Sequence, residues 1–98
     1  MADHPGVVFK DGPSGRRAAL AYGPDVWEVV KFVREIDERG PAAVAAAAES
    51  FAIDVSRIKT VITYYGDFHE EIDAEITAAD EASLLAEQGW RIAQQLIA

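Results

Sequence analysis

Ninety-eight residues with a formal charge of −8 and an apolar half bound this chain to one small acidic domain with a modest core. Cysteine is absent, which excludes disulfides, thiolate metal sites and cysteine nucleophiles together. The longest apolar run, Ala42 to Ala48, is too short and too alanine-rich to span a bilayer, and no basic, apolar leader precedes the first strand-like run. A soluble cytoplasmic protein with no membrane partner is expected. The charge is uneven. Residues 1–66 hold eight Lys/Arg and nine Asp/Glu, whereas residues 67–98 hold one Arg and eight Asp/Glu. Such asymmetry marks either an interaction segment or a well-solvated helix face.

In chain order, Val7–Lys10 and Arg17–Tyr22 are rich in β-formers, and the turn residues Asp11 to Gly15 between them predict a hairpin. Two strands are marginal alone, so this hairpin has to pack on helices, act as a wing or pair with another copy. Gly23-Pro24-Asp25 then opens a first helix. Its buried stripe is expected to be Val26, Val29, Val30, Val33 and Ile36, widened by Trp27 and Phe32. Gly40-Pro41 ends that helix and starts an alanine-rich one, whose small side chains let a neighbour approach closely. After a short break at Ala52–Asp54, Val55, Ile58, Ile62 and Tyr65 recur at helical spacing and are expected to face inward. Ser56, Arg57, Thr60, Thr63 and Tyr64 then face outward, with Lys59 at the margin. Two short helices, a tight turn and a polar outer face describe a helix-turn-helix unit, and equally an ordinary helical hairpin.

Gly66 is expected to end the outer helix and Asp67 to cap a new one, with Glu70 three residues on. A further break is expected over Thr77–Asp80. Beyond it the pattern runs through Leu84, Leu85, Ile92, Leu96 and Ile97, with Trp90 to one side. These large side chains must fold back on the domain or bind a partner. The fold expected is mainly α: a β-hairpin and three-helix unit over residues 1–66, then a long acidic C-terminal helical segment over 67–98.

The sequence holds no phosphate loop, nucleophile elbow or zinc-protease motif, and no cofactor or metal is expected. His69, Glu70 and Asp73 lie close in sequence, but they read as a solvated helix start rather than a cation site. Catalysis is not expected.

The stretches RRAALAYGPDVWEVV and AAAESFAIDVSRIKTVITYYGDFHEEIDAEI resemble a family of small bacterial antitoxin-like domains, once catalogued as of unknown function. The resemblance covers about Val7 to Ile76. Members look like helix-turn-helix proteins paired with PIN-domain or PIN-like ribonuclease toxins. It implies a type II antitoxin that neutralises its toxin, binds double-stranded DNA and represses its own promoter, as a homodimer or as a hetero-oligomer with the toxin. A non-DNA-binding interaction module is the alternative. DNA contacts are expected from Ser56, Arg57, Lys59, Thr60 and Thr63, with Arg16 and Arg17 on the hairpin. Partner contacts are expected from Leu85, Trp90, Arg91, Ile92, Leu96 and Ile97. By the same resemblance, Arg91 would reach the toxin's acidic active site. Ala52 stands where related turns often carry glycine.

Overall fold

Turn residues at 11–15 and Gly-Pro pairs at 23–24 and 40–41 divide the chain into a short hairpin and a helical body. In the computed structural model, which describes residues 4–12 and 15–98, the order is β1 (Val7–Gly12), β2 (Gly15–Leu20), α1 (Val26–Glu35), α2 (Pro41–Phe51) and α3 (Val55–Ile97). The hairpin is antiparallel, with Val7 opposite Leu20, Phe9 opposite Ala18 and Gly12 opposite Gly15. The expected turn includes Pro13 and Ser14, which lie outside the described residues. Side chains alternate across a strand, so Val7, Ala18 and Leu20 share the inner face and are buried.

α1 buries Val26, Val29 and Val30, with Trp27, Phe32 and Val33 packed alongside. It stops at Glu35, short of the expected glycine, and residues 36–40 cross to α2. Gly40 takes a positive φ of 61° there, which a side chain would resist. The alanines of α2 do what small residues allow: Ala43 and Ala47 are buried, and Phe51 meets Phe32 edge to face at 5.6 Å. Ala52 ends the helix in the left-handed region (φ 54°, ψ 45°), where its N–H is satisfied by the Ala48 and Glu49 carbonyls. Glycine would occupy this conformation without the clash at Cβ.

α3 corrects three expectations. First, its buried face is Ile58, Val61 and Tyr64, while Val55 and Ile62 are more than 40% exposed and Tyr65 is half-buried. The inner and outer faces are therefore rotated from those expected, with Tyr64 inside. Second, Gly66 and Asp67 do not separate two helices. The helix bends at Phe68 (φ −130°, ψ 32°) and runs on to Ile97 through Thr77–Asp80 without a break. Third, the core does not stop at residue 66, because Ile72 and Ile76 belong to it. Every residue from Asp80 to the end is exposed. That stretch is an arm standing off the head, and the molecule measures 52 × 30 × 23 Å. No helix among the described residues is long and apolar enough to cross a membrane.

Candidate functional site

The outer surface of α3 just after the turn was expected to hold the DNA-binding residues. Ser56, Lys59, Thr60 and Thr63 do lie side by side there, lining a shallow cleft of about 220 Å³ with His4 and Pro5. Thr60 Oγ1 donates to the Ser56 carbonyl at 3.1 Å, a local bond that fixes its rotamer. Arg57 does not join them. Its side chain turns inward and donates to the Ala21 carbonyl. A Cβ added at Gly23 would stand 3.3 Å from that guanidinium and 3.1 Å from Leu20, so the bare glycine makes room for it. Arg57 thus ties α3 to the end of the hairpin, and its assignment as an outward phosphate contact is corrected.

Arg17 is committed as well. It pairs with the buried Asp25 carboxylate, which also accepts the Trp27 indole N–H at 3.2 Å. Asp25 thereby joins β2 to the start of α1 and makes no side-chain cap. Arg16 remains exposed, with its guanidinium 4.4 Å from the Phe9 ring centre. Among the described residues, the expected cations held by no acid or carbonyl are Lys59 and Arg16.

His4 and Arg34 hold the two sides of the bend in α3. His4 is 4% exposed and lies edge-on to Tyr64 and Phe68, with Nε2 2.8 Å from Asp67 Oδ2. Asp67 is therefore a partner for the N-terminal segment and not a helix cap. On the other side of the bend, the Tyr65 hydroxyl donates to Asp73 Oδ1 at 2.8 Å, and Arg34 reaches both groups. The Tyr65 hydroxyl, followed by Arg34, holds the Asp73 carboxyl below its usual range. Asp73 thus turns to α1 and Tyr65 rather than joining His69 and Glu70.

The arm carries the expected partner residues. Leu85, Trp90 and Ile92 are about two-thirds exposed, and Leu96 and Ile97 more so. Arg91 forms an i,i+4 pair with Glu87 at 2.5 Å on the same arm. At its root the arm borders a cleft of about 430 Å³ between hairpin and helix, walled by Gly15, Arg17 and Trp27 and floored by Ala78, Ala79 and Ala82. Glu75 faces this cleft with Oε2 buried and unpartnered. Burial, then the nearby Asp25 and Glu71 charges, push its carboxyl up. Only an acid continuing the α3 stripe towards the core, four residues after Glu71 and one before Ile76, marked Glu75 in the sequence. Comparison with protein-family models, with curated proteins and with solved structures returns no match.

Proposed function

We propose that this protein is an interaction module of the antitoxin kind, a small folded head whose helical arm seizes another protein. The observation that carries the reading is the arm itself, where Leu85, Trp90, Ile92, Leu96 and Ile97 lie in solvent on one helix. Burying each such side chain is worth roughly 1.5–3 kcal/mol, and a groove that takes an amphipathic helix supplies that burial. The acidic outer face of α3 favours a basic, RNA-binding surface as the place of docking. The resemblance of residues 7–76 supplies the class of partner, a PIN-like ribonuclease, and Arg91 is the cation available to enter its acidic centre. The head supports this role as a scaffold. The test is co-purification of the neighbouring gene's product with the full chain and with a chain ending at Glu81. Capture by the full chain alone is the expected result, and equal capture by both overturns the reading.

A second reading, DNA binding, is favoured by the strip shared by exposed Ser56, Lys59 and Thr63 and half-buried Thr60 at the start of α3. In this reading the protein represses its own promoter as a dimer or with its toxin. Lys59 and Arg16 supply the phosphate contacts, and affinity comes from pairing copies or from a basic partner.

A further inference from the structure

The arm's exposed face is self-complementary in size. Ala78, Ala82, Leu85, Gly89, Ile92 and Leu96 recur at spacings of four, three, four, three and four, so they form one stripe along the helix. When two such stripes are laid antiparallel about a two-fold axis between Leu85 and Gly89, Leu96 meets Ala78, Ile92 meets Ala82 and Leu85 meets Gly89. Each large side chain lies over a small one, and the symmetry repeats all three pairs. Large-over-small alternation is what close helix packing requires.

Three further observations agree with this register. Ala79, Ala86 and Ala93 occupy one flank of the stripe, so the backbones can approach closely. On the other flank are Glu81, Gln88 and Gln95, which brings Glu81 near Gln95 of a second copy and Gln88 near its own mate. Asp80, Glu87 and Arg91 fall on the far side, so no like charges are forced together. The stripe also runs into the cleft floored by Ala78 and Ala82, whose walls, Trp27 and the hairpin, flank the seat for the incoming Leu96. From Ala78 to Leu96 the helix rises about 27 Å. Six large side chains, three from each copy, cover about 360–720 Å², from roughly 60–120 Å² each. That is below the ~1,000 Å² of a standing interface and is the size of a weak, transient pairing.

We infer that two copies of this chain pair through antiparallel arms, each arm tip seated in the cleft at the root of the other. The pairing rests on the proposed function only in treating the arm as a docking element. It adds that the homodimer and the heteromeric complex compete for Leu85, Ile92 and Leu96.

Sedimentation equilibrium of the full chain alone tests the pairing, and no second protein is needed. Dimers with a dissociation constant of roughly 1–100 µM are expected. Gly89→Leu fills the seat of Leu85 and weakens association roughly 10- to 100-fold. It leaves the fold intact, because a Cβ at Gly89 meets nothing within 4 Å and glycine is the poorer helix former. Combining it with Leu85→Ala exchanges large and small and restores the dimer. As the chain lacks cysteine, Ala82→Cys copies mixed with Ile92→Cys copies should form disulfide-linked pairs, and neither should link to itself. A monomer at every concentration up to about ten times that range, or an association untouched by Gly89→Leu, overturns the proposal. So does self-linking of the Ala82→Cys chain. Failure here with successful capture of the neighbouring gene's product leaves the proposed function standing; the reverse pattern rejects that function and keeps the dimer.

Discussion

Tyr65 donates its hydroxyl to Asp73 across the bend in α3, at 2.8 Å, with Phe68 the one non-helical residue between them. Arg34 of α1 reaches both partners, so the bend is tied to the head by one hydrogen-bonded cluster. The Asp73 carboxyl is held below its usual value of 3.8. A carboxyl depressed on folding adds stability above its unfolded pKa and loses it as pH falls through the folded one. Tyr65→Phe removes the main cause of the depression. Urea unfolding of this variant should differ from the parent near neutral pH, and the difference should shrink as acid protonates Asp73 in the folded protein.

Glu75 works in the opposite direction. Its carboxyl is raised above 4.5, first by burial and then by Asp25 and Glu71, so the folded chain holds that proton more tightly than the unfolded one. Stability from this group is full below the unfolded pKa and is lost as pH rises through the folded one. Glu75→Gln keeps the shape and removes the charge. The expected gain is small, about 0.5 kcal/mol at pH 7, because solvent screens a half-exposed group. It should vanish near pH 4 on the carboxylate scale. Denaturant midpoints at the two pH values measure it.

Ala52 sits at φ 54° and ψ 45° between α2 and α3. Non-glycine residues are disfavoured there by roughly 1–2 kcal/mol, partly offset by the extra freedom glycine gives the unfolded chain. Ala52→Gly should stabilise the protein by about 0.5–1 kcal/mol on the same balance, read as a rise in the thermal midpoint. Ala52→Val should lower it.

Arg57 and Lys59 separate the two roles that sequence position alone assigned jointly. Arg57→Ala frees the Ala21 carbonyl and should cost about 1–2 kcal/mol of stability, as loss of a charged hydrogen bond does. Lys59→Ala should leave stability within about 0.5 kcal/mol, as exposed substitutions do. If the upstream DNA is bound, Lys59→Ala flattens the slope of log affinity on log salt by roughly 0.9. Salt titrations of both variants on that DNA, with unfolding curves alongside, check the division.

The hairpin, the two short helices and the helical character of the chain beyond Asp54 were legible because each is signalled locally, by turn residues, Gly-Pro punctuation and apolar spacing. The facing of α3 was not. Val55, Ile58, Ile62 and Tyr65 are as periodic as Ile58, Val61 and Tyr64, and both sets share Ile58. What selects the second is tertiary: His4 and Phe68 pack on Tyr64, at 5.1 and 4.7 Å between ring centres. Arg57 read as an outward charge because its acceptor is a backbone carbonyl 36 residues away, which carries no sequence signal. Gly66-Asp67 read as a helix end for a similar reason, since the Asp67 partner is His4, far up the chain. The apolar residues of the arm are visible in the sequence, but not their surroundings: they are exposed rather than folded back on the domain.

Ile72 and Ile76 belong to the core, while every residue beyond Ala79 is exposed. A chain ending at Glu81 keeps the whole core. Its unfolding free energy should stay within about 1 kcal/mol of the full chain's, because no buried apolar group is removed. A fall of several kcal/mol would show the arm to be part of the head's own packing. Circular dichroism melts of the two chains give the comparison.

Hydrogen exchange of the full chain with and without the neighbouring gene's product shows whether the arm is the docking element. Amides of residues 82–97, on a solvent-exposed helix, should slow at least ~10-fold in the complex, while those of the buried head segments 26–33 and 58–64 stay as they were. Slowing confined to the head, with the arm exchanging as fast as in the free protein, would contradict that role.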